Sequence, residues 1–142
     1  LAEVFEALPG GVGLNVELKE RGLAADCLAV FDRYDTEVLV SSFDADTLQA
    51  VAERSSVPLA LLFANGPDAA LDTATSLGCA AVHPYRRCWD AGFINTAHGA
   101  GFDVNAWTVK TETQADRLAA LDVDGLIVDA PACCRSYRPA RF

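Results

Sequence analysis

Gly13-Leu14-Asn15-Val16-Glu17-Leu18-Lys19 alternates with period two: Leu14, Val16 and Leu18 fall on one face, Asn15, Glu17 and Lys19 on the other. That pattern predicts a β-strand. Its apolar row is ordinary core material. The opposite row points an amide, a carboxylate and one of only two lysines in the same direction. Polar groups aligned in this way must meet water, one another or a ligand. A solvated edge and a ligand-facing strand both satisfy the pattern, so the rest of the chain has to weigh them.

Upstream, Leu1, Val4, Phe5 and Leu8 share a helical face that Pro9-Gly10 stops. Downstream, residues 23–33 predict a helix and 38–43 a strand, and Asp44 is a plausible N-cap for a helix over 45–54. A strand over 59–63 is left through Asn65-Gly66-Pro67, and Gly78 closes a helix over 68–77. The spacing then predicts a strand over 79–82 ending at His83-Pro84, a helix from about Trp89 to Ala100, and a strand over 102–109. A helix over 111–121 and a strand over 126–129, ended by Pro131, complete the series. Residues 132–142 show no period and read as a tail after a single domain over 1–131.

The strands begin near residues 13, 37, 58, 79, 102 and 125, in steps of 24, 21, 21, 23 and 23. Each step is the length of one strand plus one crossover helix, so the chain is a βα array with parallel strands. An open doubly wound sheet wants a Gly-rich phosphate loop, and no G-x-G-x-x-G follows any strand here. A (β/α)8 barrel instead tolerates polar inward residues near the C-terminal mouth of its strands. Asn15, Glu17 and Lys19 have that placement, as do Asn105 and Trp107 on one face of their strand. Eight such units need roughly 180 residues or more. Six are present, and the chain opens with a helix, so two strands are expected to be missing at the N-terminal end.

The chain has 142 residues, of which 51% are hydrophobic, enough for a real core. No apolar run approaches the ~20 residues of a bilayer span, so stable membrane insertion is not expected. A net charge of −9 argues against nucleic acid and anionic membranes as partners. The Asp-rich, lysine-poor balance suits a halophilic, high-salt cytoplasm and an acidic mesophile equally well. Five cysteines, without C-x-x-C spacing, read as reduced thiols in a cytoplasmic protein. Cys27 and Cys79 fall on apolar faces, and the adjacent Cys133-Cys134 pair reads as surface tail or redox-active.

Four stretches carry a resemblance: Asn15 to Lys19, Ser41-Ser42-Phe43, Ala97 to Val109, and Val123 to Pro131. In order and spacing, the chain over about 1–131 resembles the C-terminal two-thirds of a glycerophosphodiester phosphodiesterase. The resemblance implies a (β/α)8 barrel that hydrolyses a small glycerophosphodiester to glycerol 3-phosphate and an alcohol, using two histidines and a divalent cation, magnesium or calcium. Carried onto this chain, Glu17 matches a metal ligand, Lys19 a phosphate contact, and Phe43 and Trp107 residues lining the pocket. The chemistry agrees, since a hard cation wants carboxylate oxygen and an ammonium can neutralise a diester oxygen.

The family's His-Arg-Gly strand, Glu-x-Asp metal pair and second catalytic histidine are expected upstream of Leu1. No catalytic residue is therefore assigned in this chain, and alone it is expected to be inactive. His98 reads as a helix-face residue. His83, at the end of its strand, is a candidate contact for phosphate or bound water. Arg86 and Arg87 are weaker candidates for an anionic substrate, and Asp129 for a capping or supporting role. Two other readings compete: a non-catalytic binding or assembly protein built on the same mouth, and an unrelated metal-assisted barrel enzyme using Glu17 and Lys19 for enolate chemistry.

Overall fold

In the computed structural model, which describes residues 1–135 and 137, six parallel strands form one curled sheet in the order β1-β2-β3-β4-β5-β6. They are β1 (Leu14–Glu17), β2 (Val38–Ser42), β3 (Leu59–Phe63), β4 (Ala81–Pro84), β5 (Asp103–Val109) and β6 (Gly125–Val128). Helix α1 (Ala2–Ala7) precedes β1, and α2 (Ala24–Phe31), α3 (Ala45–Ala52), α4 (Pro67–Leu77), α5 (Ala91–Gly99) and α6 (Glu112–Ala120) fill the five crossovers. Every neighbouring pair of strands is parallel and consecutive in sequence, which is the winding of a (β/α)8 barrel over part of its circumference.

The core lies between the convex face of the sheet and the helices. Leu48 of α3, Ile94 of α5 and Leu118 of α6 are fully buried there against Val40, Val82 and Val104. Truncating any of the three to alanine would cost about 2–5 kcal/mol through lost burial and the cavity left behind. The central strand β3 is buried at all five positions, which explains its unbroken apolar reading Leu-Ala-Leu-Leu-Phe. At the flanks, β1 alternates between half-buried Leu14 and Val16 and exposed Asn15 and Glu17, as its period-two pattern requires.

Local chemistry sets the helix ends. The Asp90 carboxylate accepts the Phe93 N–H at the start of α5, and the Thr111 hydroxyl accepts the Gln114 N–H at the start of α6. Gly78 adopts φ 65° and closes α4, a left-handed cap that glycine takes without strain.

Several boundaries differ from the sequence expectation. β1 stops at Glu17, so Lys19 stands just beyond it, although Leu18 N–H still bonds Ser41 O at 2.8 Å. β4 starts at Ala81 and runs through Pro84, which places His83 inside the strand. The helix expected from Trp89 begins at Ala91, after a 3-10 turn over Arg86–Cys88. Asp44 is the N-cap residue of α3, as expected, but its carboxylate bonds Arg21 and the Thr47 hydroxyl, each at 2.8 Å, and no backbone N–H. At the start of the expected tail a 3-10 turn spans Pro131–Cys134, and Tyr137 donates its hydroxyl to Val123 O at 2.7 Å. Residues 136 and 138–142 of that stretch lie outside the described residues. No described helix is long and apolar enough to cross a membrane.

Candidate active site

Strand register fixes which side chains share the concave face. Glu17 pairs with Ser41, Ser41 with Ala60, Ala60 with Ala81, and Ala81 with Asp103. Side chains repeat on one face every second residue. Asn15 and Glu17, Ser41 and Phe43, His83 and Tyr85, and Asn105 and Trp107 therefore all face inward. Glu17 and Trp107 point to the same side of the sheet, as strand parity predicts.

At the C-terminal mouth, Glu17, Lys19, Phe43 and Asp44 line a groove of about 320 Å³. The Lys19 ammonium lies 3.9 Å from the Glu17 carboxylate, with the two side chains 76% and 35% exposed. An ion pair so exposed is worth less than about 1 kcal/mol, so the ammonium is free to turn toward an incoming anion. Asp44, the other carboxylate of the groove, is held below the usual carboxylate range by its Thr47 and Arg21 hydrogen bonds. Arg21 neutralises it further, reaching Asp46 at 2.8 Å as well.

An aromatic strip borders the groove. Phe43 meets Trp107 edge-on with ring centres 5.4 Å apart, and Trp107 leans on Tyr85 at 4.7 Å. Phe43 remains half exposed, an apolar surface offered to whatever enters the mouth.

Beneath the mouth, Asn15, Leu39, His83, Asn105 and Ile127 surround a 150 Å³ cavity. Asn15 thus lies below the groove that holds Glu17 and Lys19. His83, expected at the mouth, is 1% exposed inside β4. Burial pushes its pKa down to about 4, so the ring is neutral near pH 7. Its Nε2 lies 3.0 Å from the Asn105 amide nitrogen, which can only donate, so the proton sits on Nδ1. That Nδ1 and the Ser41 hydroxyl are buried without a hydrogen-bond partner among the described residues. His83 also offers its main-chain carbonyl to the Trp107 indole N–H at 2.7 Å. The residue that does reach the mouth here is Tyr85, just past the end of β4, which forms an isolated bridge with Trp107.

Other expected candidates lie elsewhere. His98 of α5 bonds Asp124 at 2.8 Å, and Asp124 also accepts the Val104 N–H at 2.8 Å, a structural lock at the N-terminal end of β5 and β6. Asp129 pairs with Lys110 at 3.7 Å. Two larger hollows, 490 and 600 Å³, open around Gly11, Gly13 and Glu37 at the same N-terminal end, away from the mouth.

No group of three or more His, Cys, Asp or Glu side chains suited to a metal ion exists among the described residues. Glu17, half-exposed and carrying only the loose Lys19 contact, fits one position of a hard-cation sphere.

A curled run of parallel βα units with a carboxylate, a lysine and an aromatic wall at its strand C-termini is part of a (β/α)8 barrel. The chain belongs to the glycerophosphoryl diester phosphodiesterase family, whose model matches residues 12–133. Among solved structures it is similar to a Silicibacter pomeroyi protein described as a glycerophosphoryl diester phosphodiesterase, with TM-score 0.86 and 25% identity, over 96% of this chain and 54% of that one. An Oleispira antarctica phosphodiesterase in complex with the product sn-glycerol-3-phosphate gives TM-score 0.79 and 27% identity, over 89% and 55%. An Agrobacterium tumefaciens protein with the same description as the first shares the fold at TM-score 0.85 and 20% identity, over 95% and 61%. The chain thus spans little more than half the length of these relatives. A search of curated proteins gave no match.

Proposed function

We propose that the protein to which this chain belongs is a metal-dependent phosphodiesterase that hydrolyses a glycerophosphodiester to glycerol 3-phosphate and an alcohol. The observation that carries this reading is the Glu17–Lys19 pair, 3.9 Å apart at a strand end beside Phe43, in a chain of this family. The glycerol 3-phosphate held as product by the Oleispira antarctica relative supports the substrate class.

Glu17 would hold a divalent cation, magnesium or calcium, as one of its oxygen ligands. Such a cation, when bound, supplies a Lewis acid for a phosphoryl oxygen. Lys19, a compact point charge on a flexible stem, neutralises a diester oxygen as negative charge builds on it. Phe43 and Trp107 flank the same groove and exclude water from the apolar edge of the glycerol or alcohol. Neutral, buried His83 positions Trp107 and Asn105 rather than touching phosphate. The proton-transfer groups are those the family resemblance assigns to the upstream motifs.

Five cysteines, an odd count without C-x-x-C spacing, support a cytoplasmic setting. The test is glycerol 3-phosphate release by the full-length gene product, from glycerophosphocholine, glycerophosphoethanolamine and glycerophosphoinositol, with and without added magnesium or calcium. Cation-dependent release is expected. Tight diester binding without release under any cation would favour the non-catalytic reading.

A further inference from the structure

A second pocket of about 290 Å³ opens at the mouth on the far side of Trp107, lined by Tyr85, Arg86, Thr108, Lys110 and Gln114. The chain carries 20 acidic residues against 11 basic ones, yet no carboxylate lines this pocket and two of its five residues are cationic. Arg86 is held with its guanidinium carbon 5.5 Å from the centre of the Tyr85 ring. The Lys110 N–H bonds the Gln114 side-chain oxygen at 2.8 Å, which fixes that amide against the pocket. Asp129 lies 3.7 Å from the Lys110 ammonium, but both side chains are about 70% exposed, so the contact competes weakly with a better anion.

The aromatic strip connects the two sites. Tyr85 lines this pocket, Phe43 lines the Glu17–Lys19 groove, and Trp107 touches both rings. Trp107 lies between Phe43 of that groove and Tyr85 of this pocket, so the two hollows flank one aromatic strip.

We infer that this pocket is a second anion subsite, and that it takes the alcohol half of a glycerophosphodiester when that half carries its own phosphate group. The inference rests on the phosphodiesterase reading above for the placement of the first phosphate. An arginine fork and an ammonium suit a phosphate monoester, because each adds charge-assisted hydrogen bonds. The Thr108 hydroxyl and the Gln114 amide suit the hydroxyl groups of a polyol.

Two probes that differ only in the second phosphate are glycerophosphoinositol and glycerophosphoinositol 4-phosphate. The full-length gene product is expected to show at least about tenfold higher kcat/KM for the phosphorylated diester, the effect of one or two charged hydrogen bonds. R86Q and K110Q are each expected to bring the two substrates toward equality. Calorimetry with free inositol 4-phosphate and with inositol reads the pocket without turnover. Binding of the phosphate alone, weakened by R86Q and K110Q, supports the subsite even where neither diester is hydrolysed, an outcome that would sink the assigned reaction. Equal kcat/KM for the two diesters, or no binding of inositol 4-phosphate, overturns it.

Discussion

The Trp107 indole N–H donates to the main-chain carbonyl of His83 across 2.7 Å, from β5 to β4, directly beneath the aromatic strip. One hydrogen bond thus holds the ring that Phe43 and Tyr85 both touch. Trp107→Phe keeps an aromatic surface and removes the donor, so we expect about 1 kcal/mol of lost stability. Because the ring is then free to turn, KM for the diester should rise more than kcat falls. Urea unfolding with steady-state kinetics on the full-length protein checks both, and wild-type values for the two would remove the bond from the account.

Gly125 lies against Asn105 so closely that a Cβ at that position would collide with the Asn105 side-chain oxygen. Asn105 is the partner of His83, and Trp107 follows it on the same face. Gly125→Ala should therefore displace the amide, break its contact with His83 and destabilise the protein by about 1–3 kcal/mol, the usual cost of overpacking. A shift in Trp107 fluorescence should accompany the loss; an unchanged spectrum and midpoint would show that Asn105 can move aside freely.

His83 gives a signed pH dependence. Its folded pKa of about 4 lies below the 6.5 of the free side chain because burial disfavours the charged ring. Between those values the unfolded chain binds the proton and the folded chain does not, so this group's contribution is full above pH 6.5 and declines as pH falls toward 4. The loss amounts to about 2 kcal/mol by pH 5. Denaturant unfolding at pH 7 and pH 5 should show it, and His83→Leu should flatten that part of the profile. An equally steep profile in the variant would assign the dependence to other groups.

Much of this architecture could be read from residue order, because it follows from local rules. Period-two alternation in Leu14 to Lys19 and the recurring step of 21–24 residues are enough to orient every strand. With parity, they put Glu17 and Trp107 on one face. What could not be read depends on contacts between residues far apart. Asn105 bonds His83 across 22 positions and His98 bonds Asp124 across 26, and neither pair shares a local pattern. Pro84 does end β4, yet the Tyr85 N–H beyond it still reaches Phe63 O at 2.9 Å and brings Tyr85 to Trp107, a contact no local pattern announces. Asp44 takes the helix-cap position that its composition suggests, but its carboxylate is held by the Thr47 hydroxyl and by Arg21, a partner 23 positions away that no local pattern announces.

The central claim is that Glu17 and Lys19 serve a cation and a phosphate respectively, and a cation titration of Glu17→Gln and Lys19→Met in the full-length gene product tests it most directly. Glutamine keeps the volume and loses the charge, so Glu17→Gln should abolish cation-dependent release of glycerol 3-phosphate while the thermal midpoint stays near wild type. Lys19→Met should lower kcat with cation affinity unchanged or slightly higher, because the ammonium opposes the metal and serves only the diester. Wild-type activity and cation response in Glu17→Gln would contradict the claim and return the Asn15-Glu17-Lys19 row to a solvated face.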